Sequence, residues 1–121
     1  ETMAYNEALQ GMIEEVLDEK KSQYAGKKMM GGYVFMVDDK MCVGIVKDML
    51  MARIGESFYP EAITLEGVLP MDFTGRPMKG YVFIEPDTWD NRENLEFWIE
   101  KCLAFNPLAK RSKKKSRKVE K

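Results

Sequence analysis

Apolar side chains recur along the chain in two rhythms, and these divide it into elements. Leu9, Met12, Ile13, Val16 and Leu17 follow the i, i+3, i+4, i+7, i+8 spacing that lines one face of a helix. Glu14, Glu15, Asp18 and Glu19 fall mostly on the opposite face. The spacing predicts a helix over residues 6–21, with Asn6 as its N-cap, accepting a free backbone N–H of the first turn. Gly11 inside it costs up to about 1 kcal/mol relative to alanine, so the helix depends on burying its apolar stripe. Lys20, Lys21, Lys27 and Lys28 flank a polar link around Gly26.

The rhythm then changes. Tyr33 to Val37, Met41 to Val46 and Met49 to Ile54 are short apolar runs rich in residues that suit a pleated surface. Asp38-Asp39 and Lys47-Asp48 interrupt them as turn signals. Links this short favour antiparallel hairpins, since a parallel pairing needs a crossover of a dozen or more residues. A three-stranded meander over Tyr33–Ile54 is therefore expected.

Beyond Gly55, Ser57 is the expected cap of a second helix over residues 58–66, with Pro60 tolerated in its first turn. Pro70 to Gly80 reads as a loop or a short strand, with turn chemistry at Thr74-Gly75-Arg76-Pro77 and room for one more short strand near Met71–Phe73. Tyr81–Ile84 is the next strand, stopped by Pro86. The last helix opens on Asp90-Asn91-Arg92-Glu93, which has the form of a capping box. Its stripe is Leu95, Trp98, Ile99, Cys102 and Leu103, and Asn106-Pro107 ends it. The order α-β-β-β-α-β(β)-α predicts an α+β fold of two layers, an antiparallel sheet with flanking helices. No internal repeat is visible.

Composition narrows the function classes more than it names one. With 121 residues, 45% of them hydrophobic, the chain fits one domain with its own core. No apolar run reaches the roughly 18 residues of a membrane span, and no basic region leads into an apolar stretch at the N-terminus. A cytoplasmic protein that makes no use of a membrane is expected. Two cysteines, Cys42 and Cys102, each lie in an apolar run; they read as small buried hydrophobes, although an even count also permits a disulfide. No histidine occurs, which removes the usual Cys–His and Ser–His arrangements, and two thiols alone do not make a zinc site. No cofactor is expected. The net charge of −1 hides an asymmetry: residues 110–121 hold eight basic residues and one acidic, +7, against 11 basic and 19 acidic, −8, in residues 1–109. A domain over residues 3–109 with a basic tail over 110–121 follows.

Several blocks resemble a known family. Met30-Gly31-Gly32-Tyr33-Val34-Phe35-Met36-Val37, Lys40-Met41-Cys42 and Met51-Ala52-Arg53-Ile54-Gly55 are similar to the first half of the TfoX/Sxy N-terminal domain. Met71-Asp72-Phe73-Thr74-Gly75-Arg76-Pro77-Met78-Lys79-Gly80-Tyr81 looks like its most distinctive segment. The resemblance implies a type III secretion chaperone-like fold, a bacterial origin and a link to competence regulation. It implies a stand-alone N-terminal domain, because only the basic tail follows residue 109. Two positions depart from the family pattern. Met30 stands where phenylalanine is common, and Val43 stands where a second cysteine often follows Cys42, which removes a vicinal dithiol.

Arg53, Asp72, Gly75, Arg76 and Lys79 are the candidate binding residues. A guanidinium and an ammonium beside glycine backbone suit a carboxylate or phosphate; the structural alternative is that Asp72 pins the loop by pairing with an arginine. Paired acids such as Asp38-Asp39 and Glu14-Glu15 read as a turn and a solvated helix face, not as catalysts. Lys110, Arg111, Lys113, Lys114, Lys115, Arg117 and Lys118 can neutralise phosphates, but the tail has no aromatic residue for stacking on bases. Three functions remain. The first is a non-enzymatic regulatory module that binds a protein. The second is a nucleic-acid-associated factor using its tail for nonspecific phosphate attraction. The third is an enzyme of unknown type around Arg53, Asp72 and Arg76. The exposed edges of a meander also allow a homodimer.

Overall fold

A computed structural model describes residues 5–29, 31–72 and 77–109, and of Asp72 and Pro77 only the backbone. Helix α1 covers Glu7–Glu19, and its N-cap is Asn6, whose side chain accepts from Leu9 N at 3.0 Å. Strand β1, Ala25–Met29, comes next. The expected meander follows as β2 (Gly32–Val37), β3 (Lys40–Val46) and β4 (Met49–Arg53). A one-turn helix α2, Tyr59–Ala62, leads to β5 (Val68–Asp72) and β6 (Pro77–Ile84). Another single turn, α3 (Pro86–Trp89), precedes the long helix α4 (Arg92–Phe105), which ends in a 3-10 turn at Asn106–Leu108.

The strands form one six-stranded sheet in the order β1-β2-β3-β4-β6-β5, every pairing antiparallel. Asp38 and Asp39 both take positive φ, 57° and 63°, which gives the β2–β3 turn the twist that tight hairpins need. A bulge pairs Phe35 with Val43 and Met36 with Met41, leaving Cys42 as the extra residue of β3. Cys42 and Val43 consequently both join the core on the same side.

That core lies between one face of the sheet and the helices. Leu9, Ile13, Val16 and Leu17 of α1 and Leu95, Trp98, Ile99 and Cys102 of α4 meet Phe35, Ile45, Leu50, Ala52, Val82 and Ile84. Across the surface of the helical layer, Arg92 reaches Glu19 and Glu96, each at 2.8 Å, and Glu15 at 3.5 Å. The two-layer α+β architecture is as the sequence predicts, and four local expectations change. The polar link at Gly26 is a strand, paired to β2 through its backbone while its own residues stay largely exposed. The second helix is one turn, not nine residues, and Phe58 rather than Ser57 stands at its N-cap without a side-chain bond. Strand β6 begins at Pro77, inside the expected turn and four residues before the expected start at Tyr81. Helix α4 is capped by Asn91, not Asp90, the Asn91 oxygen accepting from Glu93 N at 2.9 Å and Asn94 N at 3.2 Å.

The end of α4 is tied to the β2–β3 hairpin by two buried polar residues. Lys40 donates to Asn106 O at 3.1 Å, and Asn106 Nδ2 donates to Val37 O at 3.1 Å. A helix terminus carries unpaired carbonyls and partial negative charge, so an ammonium there satisfies both needs.

Candidate functional site

The second face of the sheet has a core of its own. Val34, Met51 and Met71 are buried there, with Met29, Met36, Met41, Tyr81 and Phe83 packed around them. Among the described residues no helical side chain joins this cluster. The glycine at the centre of β3 makes it possible. A Cβ on Gly44 would stand 2.7 Å from the Met51 terminal methyl and 2.9 Å from Tyr33 O, so Met51 can fold over bare backbone. The outer ring of Met29, Met36, Met41, Tyr81 and Phe83 is only partly buried. Flexible thioethers and two aromatic rings at alternate positions of β6 therefore line this open side.

At one end of the sheet a groove of about 510 Å³ gathers Arg53, Lys79, Glu56, Ser57, Tyr81 and Phe105 with Leu108 and Ala109. Arg53 is the last residue of β4, opposite Tyr81 of β6. Its guanidinium carbon lies 5.3 Å from the Tyr81 ring centroid and 5.8 Å from that of Phe105, and Nη1 donates to Met41 O at 3.3 Å. A guanidinium held between two rings keeps its geometry and leaves other N–H donors for a ligand. Gly55 and Gly80 bring the groove's walls together. Gly80 O accepts from Ile54 N at 2.8 Å and Gly55 N at 3.1 Å, and both glycines adopt left-handed φ, 89° and 97°. Two cations against the one carboxylate of Glu56 favour an anionic group.

Of the candidate residues, the structure thus brings Arg53 and Lys79 to one groove. The backbone of Asp72 ends β5, paired with Pro77. Gly75, Arg76 and the tail cations from Lys110 to Lys118 lie outside the described residues. The pairing of Asp72 with an arginine and a pocket shared by Arg53 and Arg76 lie outside them too. The sequence does not mark Phe105 as a partner of Arg53, because it comes from a helix far along the chain; Tyr81, at the end of the distinctive block, is the available signal.

Cys42 and Cys102 are both free and buried. Burial pushes the Cys102 thiol well above the ordinary thiol range, the adjacent Cys42 thiol adds to that rise, and the Arg53 backbone N–H partly opposes it. A thiol so disposed is held protonated and unreactive. Among the described residues no group of three or more His, Cys, Asp or Glu side chains could hold a metal ion, and no helix is long and apolar enough to cross a membrane.

The family model of the TfoX N-terminal domain matches residues 16–106, well over half of the chain. The chain belongs to the TfoX N-terminal domain family. The match runs from the last turn of α1 past the end of α4, so it takes in the helix-free face of this TfoX N-terminal domain and the Arg53 groove except for Leu108 and Ala109. It is a regulatory type of domain, not one of a known enzyme family. No curated relative matches the chain.

Proposed function

We propose that this TfoX N-terminal domain is a non-enzymatic, competence-regulator-like module that acts in the bacterial cytoplasm by binding a partner protein, seated on the helix-free face of its sheet. The partly buried ring of Met29, Met36, Met41, Tyr81 and Phe83, with no helix over it among the described residues, carries this reading. A sheet with a helical layer on one face commonly leaves the other face polar, and here it is apolar and adaptable. The Arg53–Lys79 groove at the end of the face suits an acidic side chain of the same partner, which would fix its register. The test compares intact protein with Met36→Asp and Lys79→Glu variants in affinity capture from the native host, with circular dichroism to confirm folding. The expected result is one partner captured by the intact protein and lost with both folded variants. Equal capture by all three would sink the proposal.

One observation favours a second reading. Ala109, after which the basic tail begins, lines the groove that holds Arg53 and Lys79, so these cations and the root of the tail share one end of the molecule. That arrangement supports nonspecific attraction to nucleic acid, with affinity falling steeply as salt rises. A salt series of DNA and RNA binding, repeated on a chain in which the tail lysines and arginines are replaced by glutamine, separates the two readings.

A further inference from the structure

A second groove, of about 570 Å³, opens between α4, the start of α3 and the loop that leads into β5. Phe97, Trp98 and Leu65 supply its apolar surface, and Glu66, Glu85 and Asp87 stand around it. Its walls are tied together. Glu85 N donates to Gly67 O at 2.8 Å, and Asn94 Nδ2 donates to Thr88 O at 3.1 Å. Phe97 and Leu65, both lining this one groove, are each 39% exposed and so offer apolar surface to an occupant.

The charges around the groove are unbalanced. Of the acids elsewhere on α1 and α4, Glu15, Glu19, Glu96 and Glu100 are paired with Arg92 or Lys20, whereas Glu7, Glu14, Asp18 and Glu93 are in no ion pair among the described residues. Glu66, Glu85 and Asp87 make no ion pair among the described residues. An apolar floor beneath unpaired carboxylates fits lysine and arginine, whose methylene stems lie on rings while their heads meet acids. Lys101 displays that fit next to the groove, its Nζ 4.5 Å from the Phe58 centroid and 5.4 Å from that of Phe97.

We infer that this groove is the docking site of the chain's own basic segment, residues 110–121. Charge complementarity is the first argument: the segment carries +7 and residues 1–109 carry −8. Reach is the second. From Phe97 to Phe105 the helix rises about 12 Å and the 3-10 turn adds about 6 Å, whereas twelve residues of chain extend to roughly 40 Å. The path is short as well, since Phe58, beside Ser57 of the Arg53 groove, packs against both Phe97 and Trp98. A docked tail cannot at the same time neutralise phosphates, so the groove holds the tail back from nucleic acid until a stronger polyanion competes for it.

The experiment places a nitroxide on the full-length chain through Ser116→Cys, Cys42 and Cys102 being buried and out of the reagent's reach. Backbone amide signals then report proximity. At low salt the signals of Leu65, Glu66, Gly67, Thr88 and Phe97 are at least halved, and more strongly reduced than those of Arg53 and Lys79, although the tail is rooted beside the latter. At about 1 M salt, where screening acts within about 3 Å, they recover. They also recover in the triple variant Glu66→Gln, Glu85→Gln, Asp87→Asn, whose spectrum itself reports folding. Strongest loss at Arg53 and Lys79, no loss at the groove, or loss that survives the triple variant each overturns the inference. Isotope-labelled protein mixed with unlabelled nitroxide-bearing chains covers the remaining occupant: groove signals lost in that mixture assign the tail to a second copy and overturn the intrachain form.

Discussion

At the scale of single residues, the pair Cys42 and Cys102 shows how one backbone irregularity sets chemistry. The bulge at Cys42 turns its thiol inward, toward Cys102 of α4. Burial raises the Cys102 thiol well above its ordinary value. Unfolding exposes this thiol to water, where it ionises from about pH 8.5 upward. Above that pH the unfolded chain binds fewer protons than the folded one, so stability falls as pH rises, by up to about 1.4 kcal/mol per pH unit for this group. Below it the stabilisation is fully present. Tyr24, raised by burial and by its bond to Asp18, adds the same sign nearer pH 10. Urea unfolding from pH 7 to pH 10 checks this against a Cys102→Ala variant, which is expected to lose less stability over that interval than the natural chain. Parallel slopes would mean that the thiol ionises equally in both states. Apolar context revealed in advance that both cysteines are buried. Their adjacency was not legible, because alternation along β3 breaks at the very residue concerned.

Among the elements, what could be read depended on where each one gets its stability. Helix α1 and the β2–β4 meander carry their own periodicity and stand where the pattern puts them. Strand β1 has no such pattern, since Ala25, Gly26, Lys27 and Lys28 are all exposed; it exists because the edge of β2 offers backbone partners. The same holds for the first part of β6, where Pro77 pairs with Asp72 in spite of the local turn chemistry. Helix α4 offers a sharper lesson. Asp90 and Glu93 have the spacing of a capping box, yet α3 already reaches Trp89 and takes Asp90 into its last turn, with Asp90 N donating to Pro86 O at 2.9 Å. The cap therefore moves one residue on, to Asn91. Replacing Asn91 by alanine is expected to cost about 1 kcal/mol, while Asn91→Asp stays near neutral and Asp90→Ala changes stability by less than about 0.5 kcal/mol. Shifts in urea midpoint at unchanged slope measure all three, and a larger loss for Asp90→Ala than for Asn91→Ala would place the cap at Asp90.

For the whole molecule, the antiparallel order that builds the helix-free face also leaves two sheet edges, β1 and β5. An open edge is a template for another strand, and proteins commonly guard such edges with lysine. Strand β1 carries Lys27 and Lys28 next to each other, so by alternation one projects from each face. Two chains meeting edge to edge through β1 would bring four like charges close together, on both faces of the joined sheet. The composition of β1 therefore works against a dimer formed at this edge, and the homodimer that a meander permits must use another surface or wait for a partner that neutralises the lysines. Replacing both residues by threonine keeps a good strand former in place and removes the repulsion. The double variant is expected to self-associate at concentrations where the natural chain sediments as a monomer, with an apparent mass that rises with concentration in sedimentation velocity. A natural chain that already dimerises through β1, and a variant that remains monomeric, would each contradict the idea. Added Met36→Asp distinguishes edge pairing from contact through the methionine face: it leaves association through β1 intact and removes any that runs through the apolar ring.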